Sequence, residues 1–159
     1  MRVGFGYDSH RFVEGRPLML GGVRIESDRG LAGHSDADAV LHAVTDAILG
    51  TLAMGDIGEL FPDTDPAWAD ADSRCFVAEA LRLARERSWR IANCDVTVVT
   101  EAPKLSASKA AIRASLAGLL GIDVSRVSLK AKTAEGMGPI GRGEGLEAMA
   151  VVLLEPANE

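Results

Sequence analysis

The stretch that most constrains how this chain folds is Gly33-His34-Ser35-Asp36-Ala37-Asp38-Ala39-Val40-Leu41-His42. It reads as a loop entering a helix. Ser35 followed three residues later by Asp38 is a capping-box spacing, which places Ser35 at the N-cap. Val40, Leu41, Val44, Ile48 and Leu52 recur at helical spacing and form a buried stripe. Asp38, His42 and Asp46 fall at i, i+4 and i+8 and make a polar stripe beside it. On that edge His42 can face a cleft. His34 and Ser35 lie where unpaired helix N–H groups point outward, the place where a phosphate docks. The stretch therefore offers an anion site and, one turn later, a metal ligand. A capped helix with a partly exposed histidine is the plainer account of the same residues.

Arg2 to Phe12 alternates. Val3, Phe5 and Tyr7 point one way, and Gly4, Gly6, Asp8 and His10 the other, as in a strand. Asp8 and His10 then share one face at the strand's end. Carboxylate and imidazole together suit a borderline divalent cation such as zinc. Alone, an Asp-x-His pair reads first as a solvated strand end; it gains meaning only if a further ligand, such as His42, arrives from elsewhere in the fold.

The rest of the chain supplies the elements of one small domain. Arg16 to Ile25 reads as a second strand interrupted by Gly21-Gly22, and Asp28-Arg29-Gly30 as a turn. Met54 to Pro66 is a loop rich in Gly, Pro and Asp. Its aspartates serve Asx turns, or Asp56 binds a sugar hydroxyl, or the loop closes over a substrate. Asp72-Ser73 caps a helix running to about Ser88, with Phe76, Val77, Ala80, Leu81 and Ala84 inward and a solvated outer face. Arg90 to Glu101 is a β-branched strand. After the break at Ala102-Pro103-Lys104 comes a helix with Ile112, Leu116, Leu119 and Leu120 inward and Gly121 beyond its end. Val127 to Thr133 is a strand with Lys130 and Lys132 on one face. Five glycines crowd residues 136–145, with Arg142 and Glu144 among them. Leu146 to Leu154 is almost wholly apolar, which predicts burial on both faces. This order predicts an α+β fold: a mixed β-sheet with helices packed on one face, a single catalytic domain over residues 1–159.

Composition sets limits on function. The 159 residues carry a net charge of −6, which argues against sequence-independent nucleic-acid binding, and 4% aromatics leave little for base stacking. Cys75 and Cys94 read as buried small hydrophobes in a reducing compartment. No apolar run reaches transmembrane length, so no membrane association and a cytoplasmic protein are expected.

Several segments together are similar to one known family. Gly4-Phe5-Gly6-Tyr7-Asp8-Ser9-His10, Gly33-His34-Ser35-Asp36-Ala37-Asp38, Gly55-Asp56-Ile57-Gly58, Phe61-Pro62-Asp63-Thr64-Asp65-Pro66, Ala102-Pro103-Lys104 and Gly141-Arg142-Gly143-Glu144-Gly145 span nearly the whole chain. In order and spacing they resemble the 2-C-methyl-D-erythritol 2,4-cyclodiphosphate synthase family of the non-mevalonate isoprenoid pathway. The resemblance implies a homotrimer with sheets around a three-fold axis and active sites between subunits. It implies zinc on Asp8, His10 and His42, and a second cation, magnesium or manganese, on Glu135. It places transition-state stabilisation on His34 and Thr133. The implied substrate is a cytidine diphosphate linked to methylerythritol 2-phosphate. Cytidine contacts fall on Thr100, Glu101, Ala102, Pro103, Lys104, Leu105 and Ser106, and on Lys132 and Thr133. Ribose and methylerythritol contacts fall on Asp56, Ile57, Gly58, Phe61, Pro62, Asp63, Thr64 and Asp65. Ser9, Ser35, Ala134 and Arg142 complete the expected substrate contacts. Many members carry Thr where this chain has Lys132, which adds a charge near the phosphates, and Phe where it has Pro139, which removes an aromatic contact. The implied reaction is an intramolecular phosphoryl transfer that releases cytidine monophosphate and needs no general base, because a phosphate oxygen is already an anionic nucleophile. A zinc hydrolase using metal-bound hydroxide, and a non-catalytic nucleotide- or isoprenoid-binding module, are the rival readings.

Overall fold

Two glycines in the first strand determine how the layers come together. The computed structural model describes residues 1–62 and 64–157. Strand β1 (Arg2–Glu14) alternates as its sequence predicts, and Gly4 and Gly6 face the first helix, α1 (Ala39–Leu52). A Cβ on Gly6 would lie 1.9 Å from the Ala43 carbonyl oxygen, and one on Gly4 would lie 2.0 Å from that of Ala47. Only hydrogen at these positions lets the helix backbone lie against the strand backbone. Helix α1 is buried almost all round, not along one stripe, with Leu41, Val44, Ile48 and Leu49 fully inaccessible. Each such side chain contributes about 1.5–3 kcal/mol of apolar burial.

β1 pairs antiparallel with β7 (Gly145–Pro156), which pairs antiparallel with β5 (Trp89–Val99). β6 (Val127–Lys132) lies parallel to β5, and α4 (Lys109–Leu120) makes the crossover that a parallel pair requires. The short β4 (Arg29–Leu31) extends the other edge through Phe12↔Leu31, giving the order β4-β1-β7-β5-β6. This is the mixed sheet expected of an α+β fold. α1 packs on β1 and β7, α3 (Arg74–Glu86) on β5 and α1, and α4 on β6. One hydrophobic core joins them.

Local expectations differ from the structure at five places. Arg16 to Ile25 is two short strands, β2 (Leu18–Leu20) and β3 (Val23–Ile25), because Gly21 and Gly22 (φ 62° and 75°) form the left-handed two-residue turn of a hairpin. Arg29 and Gly30, read as a turn, belong to β4. Ser35 is not the N-cap of α1. Ala37 adopts a left-handed φ of 58°, off the helical path, and Asp38 caps instead by accepting the Leu41 N–H at 3.0 Å. The Asp38 carboxylate is fully buried and also takes the N–H groups of Gly21 (2.8 Å) and Gly22 (2.6 Å), tying the hairpin to the helix. Strand β7 buries Leu146, Ala148, Ala150, Val152 and Leu154 on one face only; Val151 on the other is 40% exposed. Cys94 is buried, but Cys75 is exposed, since it sits one position off the inward face of α3.

Gly6→Ala should therefore lower stability by about 3 kcal/mol through overpacking. Gly118→Ala, in α4 with nothing near its added carbon, should raise it by about 0.5–1 kcal/mol. Urea denaturation of both variants checks the pair.

Candidate active site and metal centre

The close approach of α1 to β1 brings three ligands together. His42, one turn into α1, faces Asp8 and His10 on β1. Asp8 Oδ2 lies 2.8 Å from His10 Nε2 and 3.0 Å from His42 Nδ1, and the two ring nitrogens are 3.3 Å apart. A tetrahedral zinc with ligands at 2.0–2.1 Å has ligand–ligand edges of ~3.3 Å. These residues are the cluster of candidate metal ligands among the described residues.

The donors and acceptors around the cluster fit a cation. His10 Nδ1 donates to the Ala32 carbonyl at 2.6 Å, so its Nε2 presents a lone pair to the Asp8 carboxylate. Acceptors at this separation repel unless a proton or metal ion lies between them. Burial works to raise the Asp8 pKa, but hydrogen bonds and charge from His10 and His42 outweigh it and hold the carboxyl well below the usual range. On His10 burial acts to lower the pKa, and the Asp8 carboxylate and the Ala32 carbonyl raise it beyond that.

A cleft of about 500 Å³ opens beside the cluster. His10, His42, Gly33, His34, Ser35, Ile57, Gly58, Phe61, Pro62 and Thr64 line it, so much of the expected methylerythritol end is assembled here. Trp68 and Phe76 complete the wall and were not anticipated. Phe61 packs on both, with ring centroids 5.1 and 4.7 Å apart. Phe76 was legible only as a buried position of α3. Asp46 accepts the Ile57 N–H at 2.7 Å, anchoring the short helix α2 (Ile57–Leu60) one turn beyond His42. Asp56 caps α2 by accepting the Glu59 N–H at 3.0 Å, and Asp65 caps the next turn through Ala67 N–H at 2.9 Å. Both aspartates thus do the turn chemistry that their spacing allowed. The expectation for Asp63 lies outside the described residues.

The helix start is not the open anion site that the sequence suggested. Asp38, Ala39, Val40 and Leu41 are fully buried, and His34 stands four residues before Asp38. His34 reaches the cleft from a loop pinned by the Asp70 N–H on its carbonyl (2.8 Å) and by Arg16, which donates to the carbonyls of Gly33 and Ser35. Ser9 is exposed, with its side chain on the sheet face opposite Asp8 and His10.

A second cleft, of about 250 Å³, is lined by Thr100, Pro103, Lys104, Leu105, Ser106, Lys109, Ala131, Lys132 and Thr133. It gathers most of the expected cytidine contacts; Lys109, at the start of α4, is added by the structure. The Glu101 carboxylate faces backbone instead, accepting the N–H groups of Ala134 (2.8 Å) and Gly136 (3.3 Å). Ala102 lies in the same turn, where its carbonyl accepts the Thr100 hydroxyl at 2.8 Å. Thr133 donates to Glu135 at 2.6 Å. Arg142 pairs with Glu144 at 2.7 Å and lines neither cleft. The two clefts share no lining residue.

A single α+β domain with an Asp-His-His cluster at a cleft and a lysine-lined second cleft is the class these observations define. A model of the YgbB family matches residues 1–155. The 2-C-methyl-D-erythritol 2,4-cyclodiphosphate synthase of Laribacter hongkongensis is 54% identical over 155 residues, covering 98% of this chain and 96% of that protein. A solved 2C-methyl-D-erythritol-2,4-cyclodiphosphate synthase, in a form bound to CDP, superposes with a TM-score of 0.90 at 43% identity, over 97% of this chain and 100% of the other. The bifunctional IspDF from Campylobacter jejuni matches with a TM-score of 0.93 at 42% identity; 98% of this chain covers 42% of that longer one. The chain belongs to the YgbB family, among the 2-C-methyl-D-erythritol 2,4-cyclodiphosphate synthases. Among the described residues no helix is long and apolar enough to cross a membrane.

The cluster predicts about one zinc ion per chain in the purified wild type, and His42→Ala should lose most of it. Elemental analysis of both proteins measures this, and full zinc content in the variant would exclude His42 as a principal ligand.

Proposed function

We propose that this chain carries out its synthase reaction by metal-assisted intramolecular phosphoryl transfer. The substrate is 4-diphosphocytidyl-2-C-methyl-D-erythritol 2-phosphate. Its 2-phosphate oxygen attacks the β-phosphorus of the diphosphate, the bond from that phosphorus to the CMP oxygen breaks, and 2-C-methyl-D-erythritol 2,4-cyclodiphosphate forms with release of CMP. The chain is thus a CMP-releasing lyase of the non-mevalonate isoprenoid pathway. The observation that carries the mechanism is the convergence of Asp8, His10 and His42 beside the cleft.

Zinc held by these three residues would leave one tetrahedral position for a substrate phosphate and supply Lewis-acid stabilisation of developing charge. Glu135, an exposed carboxylate beside Thr133, would hold a magnesium or manganese ion, whose charge would offset that of the diphosphate. His34, from the metal cleft, and Thr133, from the lysine-lined cleft, would stabilise charge on the transferring group. Phe61, Trp68 and Phe76 wall off the methylerythritol end, and Lys104, Lys109 and Lys132 offer cations to the nucleotide end. Gripping both ends of one flexible molecule supplies the orientation that an in-line attack requires. A hydrolase acting through bound hydroxide would gain little from holding the distant 2-phosphate.

The active unit is a homotrimer with sites shared between subunits. On the sheet face away from the helices Val3, Phe5, Tyr7 and Val151 are 68%, 62%, 47% and 40% exposed. They are contiguous, since Phe5 pairs with Val151 and the flanking pairs are Val3↔Leu153 and Tyr7↔Met149. An apolar patch of this kind calls for a partner. Packing three copies on it would also account for the second faces of β1 and β7. Separate metal and nucleotide clefts on one chain fit a site completed by a neighbour.

Turnover in oxygen-18 water should yield CMP and cyclic diphosphate in equal amounts, with both product phosphorus atoms unlabelled by mass spectrometry. Solvent oxygen in either would make water the nucleophile and the chain a hydrolase.

A further inference from the structure

We propose that Ser73 and Asp36 are positioning residues of the metal centre: together they fix the proton of His42 on Nε2 and hold its Nδ1 lone pair toward Asp8 and His10. The inference rests on the metal-site reading above.

Ser73 occupies the N-cap of α3, where a serine ordinarily accepts a backbone N–H from the first turn. Here its side chain makes no capping bond, and Asp72 Oδ1 takes the Arg74 N–H at 2.9 Å. The Ser73 hydroxyl, fully buried, instead lies 2.9 Å from His42 Nε2 and hydrogen-bonds Asp36 Oδ1. Its own N–H donates to Asp36 Oδ2 at 3.3 Å.

Donor counting assigns the protons. A serine hydroxyl has one proton, and an ionised carboxylate only accepts. The Ser73 proton therefore goes to Asp36, and Ser73 Oγ must accept from His42 Nε2–H. Ser35 Oγ, 3.1 Å from the same nitrogen, accepts the Ala37 N–H at 3.1 Å and directs its proton to Ser73 Oγ at 3.4 Å. With Nε2 protonated, the lone pair of His42 is on Nδ1, the nitrogen that faces the cluster.

Asp36 is itself anchored. Its N–H donates to the Ala71 carbonyl at 3.0 Å, and the next contact along, Asp70 N–H to His34 carbonyl, is 2.8 Å. The loop bearing His34 is thus stitched to the start of α3 by the same residue that ends the chain of bonds to the metal ligand. His10 is oriented by an equivalent bond, but to the backbone carbonyl of Ala32, which no substitution removes. His42 depends on side chains, so its orientation can be tested.

Full-length metal-free wild type, Ser73→Ala, Asp36→Ala, the double variant and His42→Ala are titrated with zinc against a competing chelator, and separately with Co²⁺ to record visible absorption. Ser73→Ala should weaken zinc binding roughly 10–100-fold, the loss usual for partners of a metal ligand. The double variant should bind no more weakly than Ser73→Ala, because both residues act through one chain of bonds. The Co²⁺ bands should shift in Ser73→Ala while the melting temperature of the metal-free protein stays near wild type. Wild-type zinc affinity and an unshifted cobalt spectrum in Ser73→Ala would overturn the inference. If Ser73→Ala does not fold, unchanged affinity in Asp36→Ala overturns it equally. Equal zinc binding by wild type and His42→Ala would instead overturn the metal-site reading beneath it.

Discussion

The candidate metal site depends on how closely α1 lies on β1. His42 reaches Asp8 at 3.0 Å because no side chain stands between the two backbones at Gly4 and Gly6, where an added carbon would come within 2.0 Å of helix carbonyl oxygens. The same strand that yields to the helix at residues 4 and 6 carries ligands at 8 and 10, on the same face. Asp38 then fixes the helix along its axis. Its buried carboxylate takes three backbone N–H groups, two of them from the β2–β3 turn. A helix held from both directions can present an imidazole to a small ion with little freedom to relax, which is what a stabiliser of developing phosphate charge requires.

The arrangement of the two clefts follows from the sheet. β7 separates the strand that bears the candidate metal ligands from the pair whose C-terminal ends form the lysine-lined cleft. Loops at those ends are held by polar side chains: Glu101 fixes the turn after Thr133, and Asp46 fixes the turn before Phe61. On the other face of the sheet, β1 and β7 expose an apolar strip that one chain leaves uncovered. In the proposed trimer that strip is buried and each metal cleft meets a neighbour's nucleotide cleft, so assembly and catalysis depend on one surface.

Much of this was legible from the residues because it rests on short periods. Alternation placed Asp8 and His10 on one face, and helical spacing placed His42 beside the buried stripe. The mixed sheet and its helices followed from element order. Misreadings arose where backbone conformation or distant contacts decide. A spacing rule sees Ser35 and Asp38 but not the left-handed Ala37 between them, and it cannot see residues 21 and 22 arriving to occupy Asp38. Ser73 satisfied a capping pattern, yet its hydroxyl is taken by His42, 31 residues away in sequence. Trp68 and Phe76 joined the cleft through tertiary packing alone. The apolar sequence of β7 predicts burial on both faces, but within the chain only one face is covered and Val151 on the other is 40% exposed.

In the proposed trimer one chain holds two half-sites and a neighbour completes each. The direct measurement is activity after mixing and reassembling His42→Ala chains with Lys104→Ala chains, each expected to be inactive alone. A shared site predicts that activity returns, because some interfaces then join an intact metal cleft to an intact nucleotide cleft. No recovery in a verified mixed assembly would place the whole site within one chain and contradict a shared site.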